Sequence, residues 1–556
     1  MDIKNFTERL KKWGYLPLVL ILAVSSLFYF HNLGSDYITL WDEAVHVNVV
    51  KNLANACCTP TLLLTDIGID FQDWTSNHIW VHKPLAPLYL QALIYKVGGH
   101  TLFSFRLPSA LFALMSVVAL FFVARKHFGY MVAIIGASLL AFNPYMFELV
   151  KGRQFSGLHD LVFLFFGILA LNKILLILNN PAKKNYLLFG LFVGLAFLSK
   201  GGLALLFFPA LFAVSLLAEN WKQSILNFFY AGLIALIIIF PEKIILYSLY
   251  PAEYYFEQRV QVLHLFKALE YWGRPWDYYF SVYLRDMLLP YLYLPALAGL
   301  GWGIHRSFQN KRLMVLIVWA LSFLIPLSFG VTKISNFIFA ILPAMLILLV
   351  LMLEWLWEQK HNAVIFALSA TVVISYIIIR LDVGQVKYHL FQIKTIVQRF
   401  EILFFSALLF FAIWVLYRAF ERYRNIPSVP KTLALLALFL ILGTYLRANK
   451  LSDQKIAADN KYQANVKKAA IMAKGQYSKD SIFLLFYPEL PKSHLFFKYW
   501  SGLEALEIYD RQPIFVLKKI LPKNRPLLIS SEKQIKGADV KLVEKTDFGY
   551  VYRLNH

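Results

Sequence analysis

Long apolar runs recur down this chain, and they limit what it can fold into. Leu16 to Phe30, Leu107 to Val123 and Phe337 to Trp357 are three of them. A helix needs roughly 20 such residues to cross a hydrocarbon core about 30 Å thick. Shorter runs suffice where polar ends reach the interface or the bilayer thins. Composition agrees: 59% of the residues are hydrophobic and 16% charged, against about 45–50% and about 25% in soluble domains. The pattern predicts a mainly α, polytopic membrane protein of about 13 transmembrane helices. Their limits fall near 16–30, 104–123, 131–149, 160–178, 186–198, 203–217, 226–241, 287–304, 313–329, 337–357, 363–379, 401–417 and 432–446. The first run follows Lys4, Arg9, Lys11 and Lys12, with no small-x-small site before His31. It therefore reads as a retained span and not a cleaved leader.

The formal net charge of +22 does not indicate nucleic acid. The basic residues lie in short loops, among them Arg125-Lys126, Lys183-Lys184, Arg306 with Lys311-Arg312, and Arg418 with Arg422, Arg424 and Lys431. They form no stripe with interleaved exposed aromatics. In the 13-span arrangement all of them fall on one face, which the positive-inside rule makes cytoplasmic. The expected setting is the cell inner membrane, with the N-terminus in the cytoplasm. The long outer loops are then 31–103 and 242–286. Residues 1–446 form a transmembrane module. The odd span count sends 447–556 outside, where helix and strand patterns suggest a small α/β domain of roughly 100 residues. Cys57 and Cys58 are adjacent and read as free thiols, because neighbouring Cα atoms about 3.8 Å apart fall short of the usual disulfide span.

Ionisable groups at a membrane edge are costly and usually functional. Trp41-Asp42-Glu43 follows the first span, and its paired carboxylates can supply a general base or simply favour a helix N-terminus. His82-Lys83-Pro84 closes the same loop, and Lys83 either meets a phosphate or snorkels to water. Arg153, His159 and Asp160 precede the fourth span, where Asp160 binds substrate or caps a helix. Ser199-Lys200-Gly201-Gly202 suits an anion at a helix terminus or is an ordinary tight connection. The loop Glu253 to Asp286 carries His264, Lys267, Arg274 and Trp276, and either serves the site or lies as an aromatic interfacial segment. Lys333 adds a cation before a later span. All of these fall on the outer side. Gly190-x-x-x-Gly194 reads as helix packing.

These stations, in this order, resemble the GT-C glycosyltransferases, in the branch of protein O-mannosyltransferases and lipid A aminoarabinose transferases. The likeness covers residues 10–350. It rests on Trp41-Asp42-Glu43, Lys83-Pro84, Phe105-Arg106-Leu107-Pro108-Ser109-Ala110, Asp160, Gly194 to Gly201, His264 upstream of Pro275-Trp276-Asp277-Tyr278-Tyr279, and Lys333. The resemblance implies a GT-C-like fold and a polyprenyl-phosphate sugar donor. The acceptor is a lipid, a glycan or a protein. Asp42 is implied as the catalytic carboxylate, with Asp160 as the second acidic position. Lys83 and Lys200 are implied donor-phosphate contacts. His264 matches a histidine that in some relatives helps hold a divalent metal (Zn, Mg or Mn). The chain departs in having His82 where aminoarabinose transferases carry a glutamate, and since zinc accepts either ligand type His82 joins His264 as a candidate metal ligand. It departs also in Lys83-Pro84-Leu85 for Lys-Pro-Pro and in Ile-Ser-Asn-Phe after Lys333.

The expected chemistry is inverting transfer. Asp42 accepts the acceptor's proton, with apolar surroundings or Glu43 raising its pKa. Lys83 and Lys200, joined by Lys267, Arg274 and Lys333, neutralise the leaving phosphate. The rival is a transporter or flippase of a lipid-linked sugar, for which internal repeats and helices broken at mid-membrane are the usual signature.

Overall fold

In a computed structural model the described residues are 12–35, 37–39, 42–63, 77–154, 157–268, 272–288 and 292–358. In the C-terminal part they are 463, 466–472, 474, 482–486, 499, 504–507, 527–530, 540–546 and 549–554. Trp41 and the expected spans at 363–379, 401–417 and 432–446 lie outside them.

The chain is a multi-pass helical bundle. Among the described residues six helical stretches are long and apolar enough to cross a bilayer, or seven if a bent pair counts as one span. After α1 (Leu16–Phe30), the first long loop carries α2 (Asp42–Asn55) and α3 (Ala86–Val97). The span α4 (Leu102–His127) opens where the Thr101 side chain accepts the Ser104 N–H at 3.2 Å, which satisfies a donor the helix leaves unpaired. The bent pair is α5 (Tyr130–Ala141) and α6 (Pro144–Val150), 51° apart. The bend sits at Asn143, whose side chain caps α6 by accepting the Tyr145 N–H at 2.9 Å.

Next come α7 (Leu158–Asn179) and α8 (Lys183–Lys200). The helical run continues through a 3-10 turn (Gly201–Phe207) into α9 (Phe208–Leu216), but it reverses at Gly201. The Ser215 hydroxyl lies 3.4 Å from the Tyr186 hydroxyl near the start of α8, so the chain has come back along its own length. Gly201 has φ +62°, a conformation that favours glycine. The break between the fifth and sixth expected spans is therefore real.

The long helix α10 (Trp221–Leu249) packs on α8, and α11 (Pro251–Leu263) follows. A short helix α12 (Leu284–Met287) precedes α13 (Tyr293–Ser307), which begins later than the expected limit of 287. Then come α14 (Lys311–Phe329) and α15 (Leu342–Glu358), entered through a 3-10 turn (Ser335–Ile341). In the C-terminal part β1 (Ile482–Phe486), β2 (Glu504–Glu507), β3 (Leu527–Ser530), β4 (Val540–Thr546) and β5 (Gly549–Leu554) form one sheet in the order β2-β1-β3-β5-β4. β1 runs parallel to β2 and β3, and β5 antiparallel to β3 and β4.

Helices in lipid associate through close backbone approach, which small residues allow. A Cβ placed on Gly190 would sit 2.2 Å from the Ala231 carbonyl oxygen, and one on Gly194 2.7 Å from Ile238 Cβ. The obstacle at Gly190 is backbone, which cannot swing aside. Gly190→Ala is expected to force α8 and α10 apart and to destabilise the fold by about 1–3 kcal/mol. Thermal unfolding in detergent reads this, and an unchanged midpoint would refute the packing role.

Candidate active site

The first long loop folds so that its two acidic neighbours diverge. Asp42 and Glu43 open α2, where negative charge suits the exposed N–H groups of the first turn. Asp42 turns to Lys83 and forms an ion pair with it. Glu43 turns to Arg106 on α4, and its Oε1 accepts from Arg106 Nε at 2.6 Å. Its Oε2 accepts the Thr39 N–H at 2.6 Å. Arg106 also donates to the carbonyls of Leu33 (3.0 Å), Ser35 (2.9 Å) and Tyr37. One guanidinium thus ties together the segment that leads into Asp42. Gly152, at φ +68°, closes over this pair, and a Cβ there would fall 2.0 Å from Glu43 Oε1.

A second pair forms where α7 begins and α8 ends. Lys200 donates to Asp160 Oδ1, and Asn336 Nδ2 donates to Asp160 Oδ2 at 3.0 Å. The two pairs meet through His159, whose Nε2–H donates to the Pro84 carbonyl at 3.1 Å, beside Lys83. Lys83 interacts electrostatically with both Asp160 and Lys200. Asp42, Lys83, Asp160 and Lys200 are therefore brought together, all of them buried or largely buried.

Histidines pack around this group. The His46 ring, one turn beyond Asp42, lies 4.8 Å from His159 and 5.4 Å from Trp80. His46 Nε2 is buried without a hydrogen-bond partner among the described residues. Burial, together with Lys83 and His159, holds this imidazole well below its usual pKa despite the opposing Asp42, so it is neutral. For Asp42 the balance is reversed. Burial alone would raise its pKa, but the charge of Lys83 and the hydrogen bond from it outweigh that and hold it below the usual carboxylate range. The expectation that apolar surroundings or Glu43 would raise Asp42 is corrected here: Lys83 is its partner, and Glu43 belongs to Arg106.

His82 Nδ1–H donates to Glu257 Oε2 at 2.7 Å, and α11 is further tied down by Gln261 donating to the His82 carbonyl at 3.3 Å. His264 is buried nearby, with its pKa lowered to about 4 by burial and by His82 against the pull of Glu257. Glu257 Oε2 already accepts the hydrogen bond of His82 Nδ1–H. Among the described residues no three His, Cys, Asp or Glu side chains are grouped to hold a metal ion. Glu257 Oε1 and His264 Nδ1 are buried without a hydrogen-bond partner among the described residues.

The remaining candidates stand further along the same end. Lys267 is exposed, and its carbonyl accepts from the Thr332 hydroxyl at 2.7 Å. The Arg274 guanidinium lies over the rings of Trp272 and Tyr278, 5.8 and 5.5 Å from their centroids. Lys333 is buried and donates to the Gly330 carbonyl. Backbone bonds clip these segments together: Thr332 N–H to His264 O (3.1 Å) and Lys333 N–H to Trp272 O (3.0 Å). The clip leads directly into Asn336 and so to Asp160. Arg153 lies 3.8 Å from Glu148. Cys57 and Cys58 are exposed free thiols.

Part of the C-terminal chain sits on this end. The Gln463 amide accepts the Ile38 N–H at 3.2 Å and donates to the Ile38 carbonyl at 2.7 Å. Lys51 Nζ donates to the Tyr499 carbonyl at 2.6 Å. Val466, Ala469, Ala470 and Tyr499 share one buried cluster with Val45 and Val49 of α2.

Solved structures share this fold. ArnT from Cupriavidus metallidurans bound to undecaprenyl phosphate superposes with a TM-score of 0.67, at 14% identity, over 97% of this chain and 98% of that one. The chain has the GT-C glycosyltransferase fold. The oligosaccharyltransferase of Archaeoglobus fulgidus tethered to an acceptor peptide shares that GT-C fold, with a TM-score of 0.52 at 13% identity, over 94% of this chain and 70% of that one. Residues 82–245 match the family of dolichyl-phosphate-mannose-protein mannosyltransferases. An undecaprenyl phosphate-alpha-4-amino-4-deoxy-L-arabinose arabinosyl transferase of Pseudomonas fluorescens is 25% identical over 469 residues, 81% of this chain and 80% of that protein. A counterpart from Pseudomonas aeruginosa is 26% identical over 292 residues, 50% of this chain and 51% of that protein. The resemblance to the aminoarabinose-transferase branch of GT-C enzymes, drawn above from the ordered motifs, is borne out.

Proposed function

We propose that this chain transfers a monosaccharide, of the amino-pentose class its relatives carry, from a polyprenyl-phosphate donor to a lipid acceptor. The observation that carries this is the meeting of two carboxylate–lysine pairs, Asp42 with Lys83 and Asp160 with Lys200, at one end of a membrane-spanning bundle. Such a site offers cations to a phosphate and carboxylates to an acceptor.

Lys83 is the pivot. Before substrate arrives it neutralises Asp42. A donor phosphate at this site draws Lys83 and Lys200 toward itself, and each lysine then holds less of its carboxylate. Asp42, still buried, loses the charge that keeps its pKa low, so its pKa rises and it becomes a stronger base. The acceptor oxygen attacks the anomeric carbon and passes its proton to Asp42. The bond from that carbon to the phosphate oxygen breaks, the electron pair stays on the polyprenyl phosphate, and the centre inverts. Lys83 and Lys200, with Arg274 and Lys333 behind them, balance the charge on the leaving phosphate. His46 Nε2 offers a neutral, buried hydrogen-bonding nitrogen to sugar or acceptor. Glu43 positions Asp42 through Arg106.

In this reading the site faces the periplasm and the protein lies in the inner membrane, with residues 1–446 as a module of about 13 spans and 447–556 as an outer α/β domain. The contact of Gln463 and Tyr499 with the Asp42 loop supports placing the C-terminal part on that side.

Reconstitution into liposomes with a radiolabelled undecaprenyl-phosphate sugar and a lipid acceptor tests the proposal. Label recovered on the acceptor supports it. Movement of intact donor across the bilayer without transfer would replace it with the flippase reading.

A further inference from the structure

At the end of the bundle opposite Asp42, a cavity of about 530 Å³ opens between α1, α4 and α7. Its volume falls in the range of about 300–1,000 Å³ typical of small-ligand sites, and it has no part in the chemistry above. Phe122, Val123 and Leu169 form its apolar wall. Phe122 and Tyr15, which also lines it, are 46% and 53% exposed on the surface of a membrane-spanning bundle, so its open flank faces acyl chains.

Its polar rim is cationic. Arg125 and Lys126 end α4 there. The Arg125 guanidinium is held over the rings of Tyr15 (4.8 Å) and Tyr130 (5.6 Å), contacts that fix a cation without neutralising it. Neither residue forms an ion pair among the described residues, and no acidic side chain lines the cavity. Asn172 accepts from His127 Nε2–H at 2.9 Å through its oxygen, which leaves its amide nitrogen as a further donor at the rim.

We propose that this cavity binds the head group of an anionic phospholipid. Its phosphate diester would meet Arg125 and Lys126, the Asn172 amide would donate to a glycerol or ester oxygen, and one acyl chain would lie along Phe122 and Leu169. The apolar flank commits the site to a lipid, since a free phosphate has nothing to place there. Basic pockets between transmembrane helices commonly hold anionic head groups. Because Tyr15 immediately precedes α1 and Arg125 lies on α4, the bound lipid also ties the entry of α1 to α4.

The test uses the full chain purified in neutral detergent, with phosphatidylglycerol, phosphatidylcholine and inorganic phosphate as probes. It does not depend on the transfer reaction, so it stands or falls apart from the reading above. Native mass spectrometry is expected to show a retained phosphatidylglycerol adduct, and that lipid alone is expected to raise the thermal midpoint. The Arg125→Gln/Lys126→Gln variant is expected to bind it at least about tenfold more weakly, from the loss of two basic contacts near the membrane surface. Its unchanged elution on size exclusion would show that it has folded. Equal retention of phosphatidylglycerol by this folded variant would overturn the proposal. So would equal stabilisation of the parent by phosphatidylcholine, which would mark a plain acyl groove, or by inorganic phosphate, which would mark a generic anion site.

Discussion

Asp42→Asn is expected to slow sugar transfer by about 10²–10³-fold, the usual effect of removing one preorganised group from a reacting centre. The amide keeps the shape of the carboxylate and its oxygen still accepts from Lys83, so the fold should survive. Lys83 keeps some contact with water, its side chain being 19% exposed, and a lysine without its counter-charge is tolerable there. The same substitution removes the anion that competes with the donor phosphate for Lys83. The rate loss should therefore appear in kcat, with the KM for the donor unchanged or lower. Single-turnover assays on purified protein, with donor concentration varied, separate the two. Transfer within a few-fold of the parent would remove Asp42 from the role of base. A rise in donor KM with intact kcat would mean that Asp42 binds the donor and does not act on the acceptor.

The parts of this site that were legible in the sequence are those the bilayer makes conspicuous. Asp42, Lys83, Asp160 and Lys200 interrupt apolar runs, where an ionisable group demands an explanation, and loop charge placed them all at one face. Their pairing was not legible, because Lys83 lies 41 residues from Asp42 and Asn336 lies 176 from Asp160, separations that no helical period reports. The pKa of Asp42 was expected to move the wrong way for that reason: burial can be read from apolar neighbours, but the cation that overrides it comes from across the fold. Glu43 looked equivalent to Asp42 because the two are adjacent. On a helix, adjacent side chains point about 100° apart, and this suffices to send one to Lys83 and the other to Arg106. Glu257 and His46 carried a weaker signal. Each is an ionisable residue on an amphipathic helix between spans, indistinguishable in sequence from a solvated one until α11 is seen to fold over His82.

Arg106 carries the second large expectation. Its side chain and that of Glu43 are each 3% exposed. Arg106→Ala leaves Glu43 buried with a single backbone N–H as partner and strips a donor from three carbonyls. Breaking a buried pair from one side typically destabilises by about 3–5 kcal/mol, so the variant should lose a large part of its thermal stability, and Asp42 with it should lose its place beside Lys83. Arg106→Lys should recover only part of the loss, because an ammonium cannot span the fork that reaches Glu43, Leu33 and Tyr37 together. Replacing both partners, as Glu43→Gln/Arg106→Met, removes the orphaned charge. The double variant should therefore be more stable than Arg106→Ala, with a coupling within the range of about 0.5–3 kcal/mol seen for contacting residues. It should nevertheless transfer slowly, since nothing then gathers the Leu33 to Tyr37 carbonyls behind Asp42. A stable but slow double variant would separate the positioning role of Arg106 from its part in folding. An Arg106→Ala protein as stable as its parent would show that the pair is not what holds the Asp42 loop.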